Sequence, residues 1–259
     1  MRFEKKRVWV ITGGAQGIGK CLVDFLLKQN QRVYYLDTHP AKDEIIKNKK
    51  SQELIFIPCD LSKKEDMDNV SSTLEKNNTK VDVLIHNAAI SKGGLNDASY
   101  DDFLEVQKVN LVAPFYLSKK FMPLFNEKAS IILIASTRAF QSQKNTEAYT
   151  ASKGGIISLT HTMSMTLEGK VRVNSVSPGW IDTSSCDVNR LSFAFEDHQQ
   201  HPSKRIGAPI DIFKAVSFLS DPENDFINGE NIIIDGGMTK KMIYHQDEQW
   251  MYHLKKDKE

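Results

Sequence analysis

The chain has 259 residues, enough for one large α/β domain with a substantial buried core. Its 34 Lys and Arg offset 33 Asp and Glu, so no global field draws it to nucleic acid or an anionic membrane; a small-molecule partner is expected. Three widely spaced cysteines, Cys21, Cys59 and Cys186, show neither metal-ligand spacing nor a disulfide framework, which suits a reducing cytoplasm.

The basic stretch Arg2 to Arg7 followed by Val8–Ile11 superficially looks like a signal peptide, but the apolar run stops at glycines after a few residues. No stretch approaches the roughly 18 apolar residues that span a bilayer, so no membrane association is expected. Apolar, β-branched runs then recur at Arg7–Ile11, Arg32–Leu36, Leu54–Ile57, Val81–Ile85, Ser130–Ile134, Val171–Val176 and Asn231–Ile234. Most are almost continuously apolar, as strands of a parallel sheet covered on both faces must be. Between them, Ile18–Gln29 places Leu22, Phe25 and Leu26 on one helical face. Ser62–Lys76 opens with a Ser62…Glu65 capping box and turns Met67, Val70 and Leu74 inward. The alternation predicts a Rossmann-type doubly wound parallel sheet of about seven strands with helices on both faces. No repeat, low-complexity segment or linker interrupts it, so residues 1–259 are expected to form one domain. Ligands of such sheets bind beyond the carboxyl ends of the strands, where the strand order reverses.

Thr12-Gly13-Gly14-Ala15-Gln16-Gly17-Ile18-Gly19 follows the first strand and opens the first helix. Glycines there permit a tight turn, close approach of a pyrophosphate to the backbone and close helix–sheet packing. The helix N-terminus offers free N–H groups and partial positive charge. Asp37 ends the second strand, where a carboxylate accepts hydrogen bonds from ribose hydroxyls and repels a 2′-phosphate; it is equally placed to cap the loop before His39-Pro40. No basic residue stands at Thr38, so NAD(H) is expected over NADP(H). Asp60 after the third strand is placed either to hold an adenine amino group or to cap the next helix.

Four polar residues stand at element ends: Asn110, Ser136, Tyr149 and Lys153. Tyr149 and Lys153, four apart on one helical face, can bring an ammonium beside a phenol. A phenol with pKa near 10 is a poor base at neutral pH; a neighbouring cation favours phenolate, as proton exchange with an alcohol or carbonyl oxygen requires.

Together these motifs resemble the short-chain dehydrogenase/reductase family in its compact single-domain branch. The likeness runs from about Arg7 to Thr239 and includes Asn87-Ala88-Ala89, Pro178-Gly179 and Asp235-Gly236-Gly237. It implies a dehydrogenase/reductase acting on CH–OH groups, moving a hydride between nicotinamide and a secondary alcohol or ketone carbon. It further implies that Ser136 polarises the substrate oxygen, Tyr149 exchanges the proton, Lys153 lowers the tyrosine pKa and holds ribose hydroxyls, and Asn110 fixes a relay water. Cofactor contacts are implied at Gly13, Gln16, Gly17, Ile18, Gly19, Asp37, Asp60, Leu61, Asn87, Tyr149, Lys153, Pro178, Ile181 and Thr183. The sequence departs from the family's Asn-Asn-Ala-Gly, reading His86-Asn87-Ala88-Ala89, which puts that loop's contacts in question.

The same resemblance places substrate contacts after Ser136 and in a lid at 184–205, with Arg138, Gln143 and Trp180 as candidates. Arg138 suits a carboxylate or phosphate, or serves as a structural arginine. Phe193 and Phe195 suggest an apolar lid underside or simple core packing. The His198–His201 spacing lacks a third ligand, and no metal is expected. Met242, Ile243, Tyr244, Trp250 and Tyr252 make the 240–259 tail too apolar for free solvation; it docks either on a neighbouring subunit or on its own. Homodimers or homotetramers built on helices containing Asn110–Phe125 and Tyr149–Leu167 are implied. Two other functions are open: a catalytically silent NAD(H) sensor, disfavoured by the intact acid/base residues, and a sugar-nucleotide epimerase or dehydratase, disfavoured by chain length and glycine spacing.

Overall fold

Successive strand residues point to opposite faces of a sheet, so a strand apolar at every position needs a core on each side. The computed structural model, which describes Phe3 and residues 5–41, 53–186, 193–244 and 246–247, has that arrangement. The strands are β1 Val8–Thr12, β2 Arg32–Asp37, β3 Leu54–Pro58, β4 Val81–His86, β5 Phe125–Ile134, β6 Val171–Pro178 and β7 Asn231–Ile234. They form one seven-stranded sheet ordered β3-β2-β1-β4-β5-β6-β7, with every neighbouring pair parallel. The helices are α1 Gly17–Lys28, α2 Lys64–Lys76, α3 Tyr100–Gln107, α4 Ala113–Phe121, α5 Glu147–Thr166, α6 Phe195–Gln199 and α7 Pro209–Ser220.

Two cores lie on the two faces. Val10, Leu84, Ile131, Leu133 and Val173 pack with Met67, Val70 and Leu74 of α2, Leu117 and Phe121 of α4 and Ile156 of α5. The alternate positions Trp9, Ile11, Val83, Ile85, Ile132, Ile134 and Val176 pack with Leu22, Val23 and Leu26 of α1 and Ile212, Phe213 and Val216 of α7. At about 1.5–3 kcal/mol per fully buried large apolar side chain, these two layers dominate the stabilisation. Among the described residues no helix is long and apolar enough to cross a membrane.

Four local expectations are corrected. The segment Asn110–Phe125 is not one helix: α3 and α4 are joined by a π-helical turn at Lys108–Val112, and Phe125 already belongs to β5. That strand starts five residues before the expected Ser130, taking in a left-handed Lys128 (φ 57°) and a register shift against Val81/Val83. The Ser62…Glu65 capping box does not form. The Ser62 hydroxyl (2.7 Å) and N–H (3.0 Å) instead both donate to the charged Asp60 Oδ1, taking the N–H that Glu65 would have received, and Asp66 Oδ2 accepts from the Asp60 N–H (2.8 Å). A complete capping box lies where none was expected, between Ser99 and Asp102 at the start of α3.

The fourth correction concerns the cysteines. Cys21 of α1 and Cys186, 165 residues apart, are joined by a disulfide with Cα atoms 5.6 Å from each other. Spacing in sequence carries no sign of it, because the crossover beyond β6 returns the chain across the end of α1. The bond ties the segment following Thr183 to the first helix. A cross-link of that separation restricts the unfolded chain by about 3–5 kcal/mol. Reduction, or Cys186→Ser, should therefore lower the melting temperature by several degrees in thermal unfolding followed by circular dichroism; identical curves with and without reductant would refute the cross-link in solution.

Candidate active site

The strand order reverses between β1 and β4, since β2 and β3 extend to one side of β1 and β4 starts the other. The connections after β1 and β4 must diverge there, which opens a crevice. The first connection is the glycine turn. Gly13 and Gly17 have φ of +67° and +58°, left-handed values that a Cβ disfavours. A Cβ on Gly19 would lie 2.0 Å from the Gly13 carbonyl oxygen and 2.5 Å from Asn87 Nδ2. The first turn of α1 has no side-chain cap and no acidic residue, leaving its N–H groups directed into the crevice. On the β4 side, Asn87 Nδ2 donates to the carbonyls of Thr12 (3.1 Å) and Gly13 (3.0 Å). The Thr12 hydroxyl accepts from the N–H groups of Asn87 (3.0 Å) and Ala88 (3.1 Å). This hydroxyl was not singled out from sequence, although a threonine at the strand end before the glycines was its signal.

The crevice is a cavity of about 610 Å³, within the range of small-molecule and cofactor sites. Gly13, Gln16, Gly17, Ile18, Asp37, Asp60, Leu61, Asn87, Ser136, Tyr149, Lys153, Pro178, Ile181 and Thr183 line it. Gly19 and Asn110 are not on the wall; they hold it from behind. Asp37 faces the cavity and accepts from the N–H groups of Ala15 (3.0 Å) and Thr38 (2.9 Å), so it caps the loop that follows β2. Asp60 likewise lines the cavity while accepting from Ser62, whose hydroxyl holds the Asp60 carboxyl below the usual range.

At the other end, Ser136 caps a short turn, Thr137–Ala139, by accepting from the Arg138 N–H (3.1 Å). Tyr149, in the first turn of α5, is raised above its ordinary pKa by burial, partly opposed by a hydrogen bond with Ser136 and by the charge of Arg138. Lys153 is buried, donates from Nζ to the Ile134 carbonyl (2.7 Å), and stands 5.5 Å from the centre of the Tyr149 ring. The ammonium therefore lies over the ring face, and Ser136 and Arg138 are the groups that favour the phenolate. Asn110, buried in the π turn, clamps Ile90 through its N–H (2.8 Å) and carbonyl (2.9 Å) and donates to Ser152 Oγ (3.0 Å), the neighbour of Lys153. A π turn re-aims one side chain within a helix, often at a functional site.

A second cleft of about 770 Å³ shares Ser136, Tyr149, Gly179 and Ile181 with the first and is lined further by Arg138, Gln143, Thr146 and Trp180. Phe193 packs edge-on against Trp180 at 5.0 Å, whereas Phe195 is 72% exposed, so the two phenylalanines do not form a common lid underside. His198 Nδ1 accepts from the Ile206 N–H and His201 Nδ1 faces the Asp197 carbonyl; both rings pair with backbone.

A family model described as enoyl-(acyl carrier protein) reductase matches residues 13–239. An uncharacterized oxidoreductase of Thermotoga maritima is 36% identical over 253 residues, covering 93% of this chain and 98% of the relative. An apo SCOR enzyme from Clostridium thermocellum superposes with TM-score 0.82 at 37% identity, covering 97% of this chain and all of that one (100%). A 4-hydroxyisoleucine dehydrogenase complexed with NADH gives TM-score 0.77 at 30% identity, covering 92% and 100%. The chain belongs to the short-chain dehydrogenase/reductase family.

Its departures from the family pattern are accommodated locally. Ala89 does not adopt positive φ, so its Cβ is tolerated. His86 is buried against the Ser118 hydroxyl (2.8 Å), and burial pushes its pKa down to about 3, leaving a neutral ring that packs as part of the core.

As a member of this oxidoreductase family, the chain carries one costly charge at the site. Burial pulls Lys153 down from 10.5 to about 8. The unfolded chain therefore binds this proton more tightly than the folded one, and stability rises as pH increases from about 8 to 10.5. Below that window the buried ammonium costs the fold on the order of 3 kcal/mol. Lys153→Met should remove the alkaline gain in stability, read as melting temperature against pH; a variant whose rise above pH 8 matched wild type would contradict this origin.

Proposed function

We propose that the chain is an NAD(H)-dependent dehydrogenase/reductase that transfers a hydride between nicotinamide and a secondary alcohol or ketone carbon, with Tyr149 as acid/base. The observation that carries this reading is the convergence of Ser136 and Tyr149 on the wall where the two cavities meet, with Lys153 beside Tyr149 on the wall of the first. The residues present fit a dinucleotide: a tight glycine turn in which a Cβ on Gly13, Gly14 or Gly19 would clash with Ala88, Tyr35 or the Gly13 carbonyl, an uncapped helix start, and a carboxylate at the far end. When bound, the dinucleotide supplies or accepts the hydride.

In this reading Gly13, Gln16, Gly17, Ile18 and Thr183 hold the diphosphate, and Gly19 and Asn87 keep the turn in shape. Asp37 accepts from ribose hydroxyls, Asp60 and Leu61 bound the adenine end, Pro178 and Ile181 receive the carboxamide, and Lys153 holds the nicotinamide ribose. Ser136 donates to the substrate oxygen. Tyr149 takes the hydroxyl proton during oxidation and returns it during reduction, with Lys153 and Asn110 leading the proton onward. Asp37 favours NAD(H), because a second phosphate beside a carboxylate is repelled; the NADH-bound relative is consistent with that preference. Residues 1–259 act as one oxidoreductase domain, with 184–205 as a substrate lid, of which 187–192 lie outside the described residues. We place the enzyme in the cytoplasm, with the Val8–Ile11 run built into β1; the cysteines no longer support that placement.

The test is turnover of a panel of secondary alcohols and ketones with NAD(H) and NADP(H). Tyr149→Phe should reduce kcat about 10²–10⁴-fold with NADH binding, read by fluorescence, unchanged. Asp37→Ser should narrow the preference for NAD(H) by about tenfold or more. NADH binding without turnover in either wild type or Tyr149→Phe would favour a sensor instead.

A homo-oligomer is part of the proposal. Phe103, Val112, Phe115 and Met165 expose apolar side chains along α3, the π turn, α4 and α5. Met242, Ile243 and Tyr244 of the tail are also exposed, which supports docking on a neighbouring subunit; Trp250 and Tyr252 lie outside the described residues. Phe115→Glu should dissociate the assembly in light scattering, and a monomeric wild type would end this part of the proposal.

A further inference from the structure

Arg138 is the one described arginine whose guanidinium pairs with neither a carboxylate nor a backbone carbonyl outside its own turn. Arg32 and Arg205 pair with Glu53 and Asp211. Arg7 and Arg172 are held on the carbonyls of Ser220 and Leu219. Arg138 instead donates from Nη1 to Thr146 Oγ1 (3.2 Å) and from Nη2 to Gln143 Oε1, two neutral acceptors. A guanidinium has about five N–H donors, so most of its fork remains unspent.

Those two contacts aim the fork. Thr146 is itself anchored, donating to the Gln143 carbonyl (2.8 Å), so the arginine is held with little rotameric freedom left to lose on binding a ligand. The half-buried side chain lines the cleft that also holds the Ser136 and Tyr149 hydroxyls. None of the residues lining that cleft is Asp or Glu, and Arg138 is the sole cation among them. An uncompensated, partly desolvated positive charge in a ligand cleft is complementary to one negative charge. The cleft is also lined by Trp180, whose ring packs against Phe193.

We infer that Arg138 is a specificity-determining residue and that the substrate is a hydroxy or oxo acid. Its carboxylate is received by the Arg138 fork while its carbinol or carbonyl oxygen lies between Ser136 and Tyr149. This inference rests on the hydride-transfer reading for the reacting end alone; the anion site stands on the cleft itself. One guanidinium without a second cation matches a carboxylate and leaves a dianionic phosphate half neutralised. Trp180 bounds the space for the carbon chain between the two polar ends.

The test uses the full-length protein titrated by calorimetry, with and without saturating NADH. The probes are succinamate and succinamide, of equal length and differing by one negative charge, with inorganic phosphate as a third. Wild type should bind succinamate on the order of 10–100-fold more tightly than succinamide, the range set by hydrogen bonds to a charged group. Arg138→Gln should abolish that preference, and Arg138→Lys should retain part of it, having charge but no fork. Circular dichroism and NADH affinity unchanged in both variants would show that the fold and dinucleotide site survive. Succinamate binding no more tightly than succinamide, or a preference intact in Arg138→Gln, would overturn the inference, as would phosphate binding more tightly than succinamate. Failure of the hydride-transfer reading would show separately, as absent NADH binding or turnover indifferent to Tyr149→Phe.

Discussion

There is no room for a methyl group on Gly19: its Cβ would sit 2.0 Å from the Gly13 carbonyl oxygen. That single close approach brings the start of α1 onto the end of β1, and the rest of the site is arranged around it. The Gly13 carbonyl is also an acceptor for Asn87, so the turn after β1 and the loop after β4 are fastened at one point. Without the fastening the two loops on either side of the strand reversal would have no fixed separation, and the cavity between them no fixed width. The N–H groups at the start of α1 face the cavity because the turn is this tight.

The second constraint is electrostatic. A lysine with a side chain only 2% exposed would ordinarily be excluded from a core. Lys153 is retained by one short bond to the Ile134 carbonyl, and its backbone position is set by Ser152, which Asn110 grips from the π turn. The π turn therefore has a structural consequence two elements away: it lets Asn110 reach Ile90 on one side and α5 on the other. Tyr149 sits between this buried cation and the polar pair Ser136 and Arg138. Burial alone raises the phenol, so an acid/base role at ordinary pH depends on the neighbours that act the other way.

Much of this was legible in the sequence because it depends on local periodicity and on residue types that have few uses. Continuously apolar runs such as Val171–Val176 demand two covered faces, and the two cores supply them. A glycine turn between strand and helix, and a tyrosine four residues before a lysine, place themselves once the elements are drawn. What was not legible depends on distance or competition. The Cys21–Cys186 bond joins residues that only the crossover brings together. Ser62 had a capping partner at the right spacing, but the Asp60 carboxylate outcompetes it. Nothing in the pattern of Asn110–Phe125 separates a π turn from a regular one, and nothing in Phe193 and Phe195 says which of them will meet Trp180.

The two cavities that share Tyr149 differ in charge, and that difference divides the labour between them. Asp37, Asp60 and Glu105 lie on the wall of the first together with the cation Lys153, so its carboxylates outnumber its cations. The second has no carboxylate on its wall and one guanidinium. A ligand with a single negative charge is therefore steered toward the Arg138 side, away from Asp37. Arg138 also acts on Tyr149 from that side, favouring the phenolate. An anion bound at the fork neutralises this cation and returns the phenol toward its buried, protonated state. A negative charge held in the second cavity would thus bias the proton on Tyr149, the group it shares with the first, through Arg138.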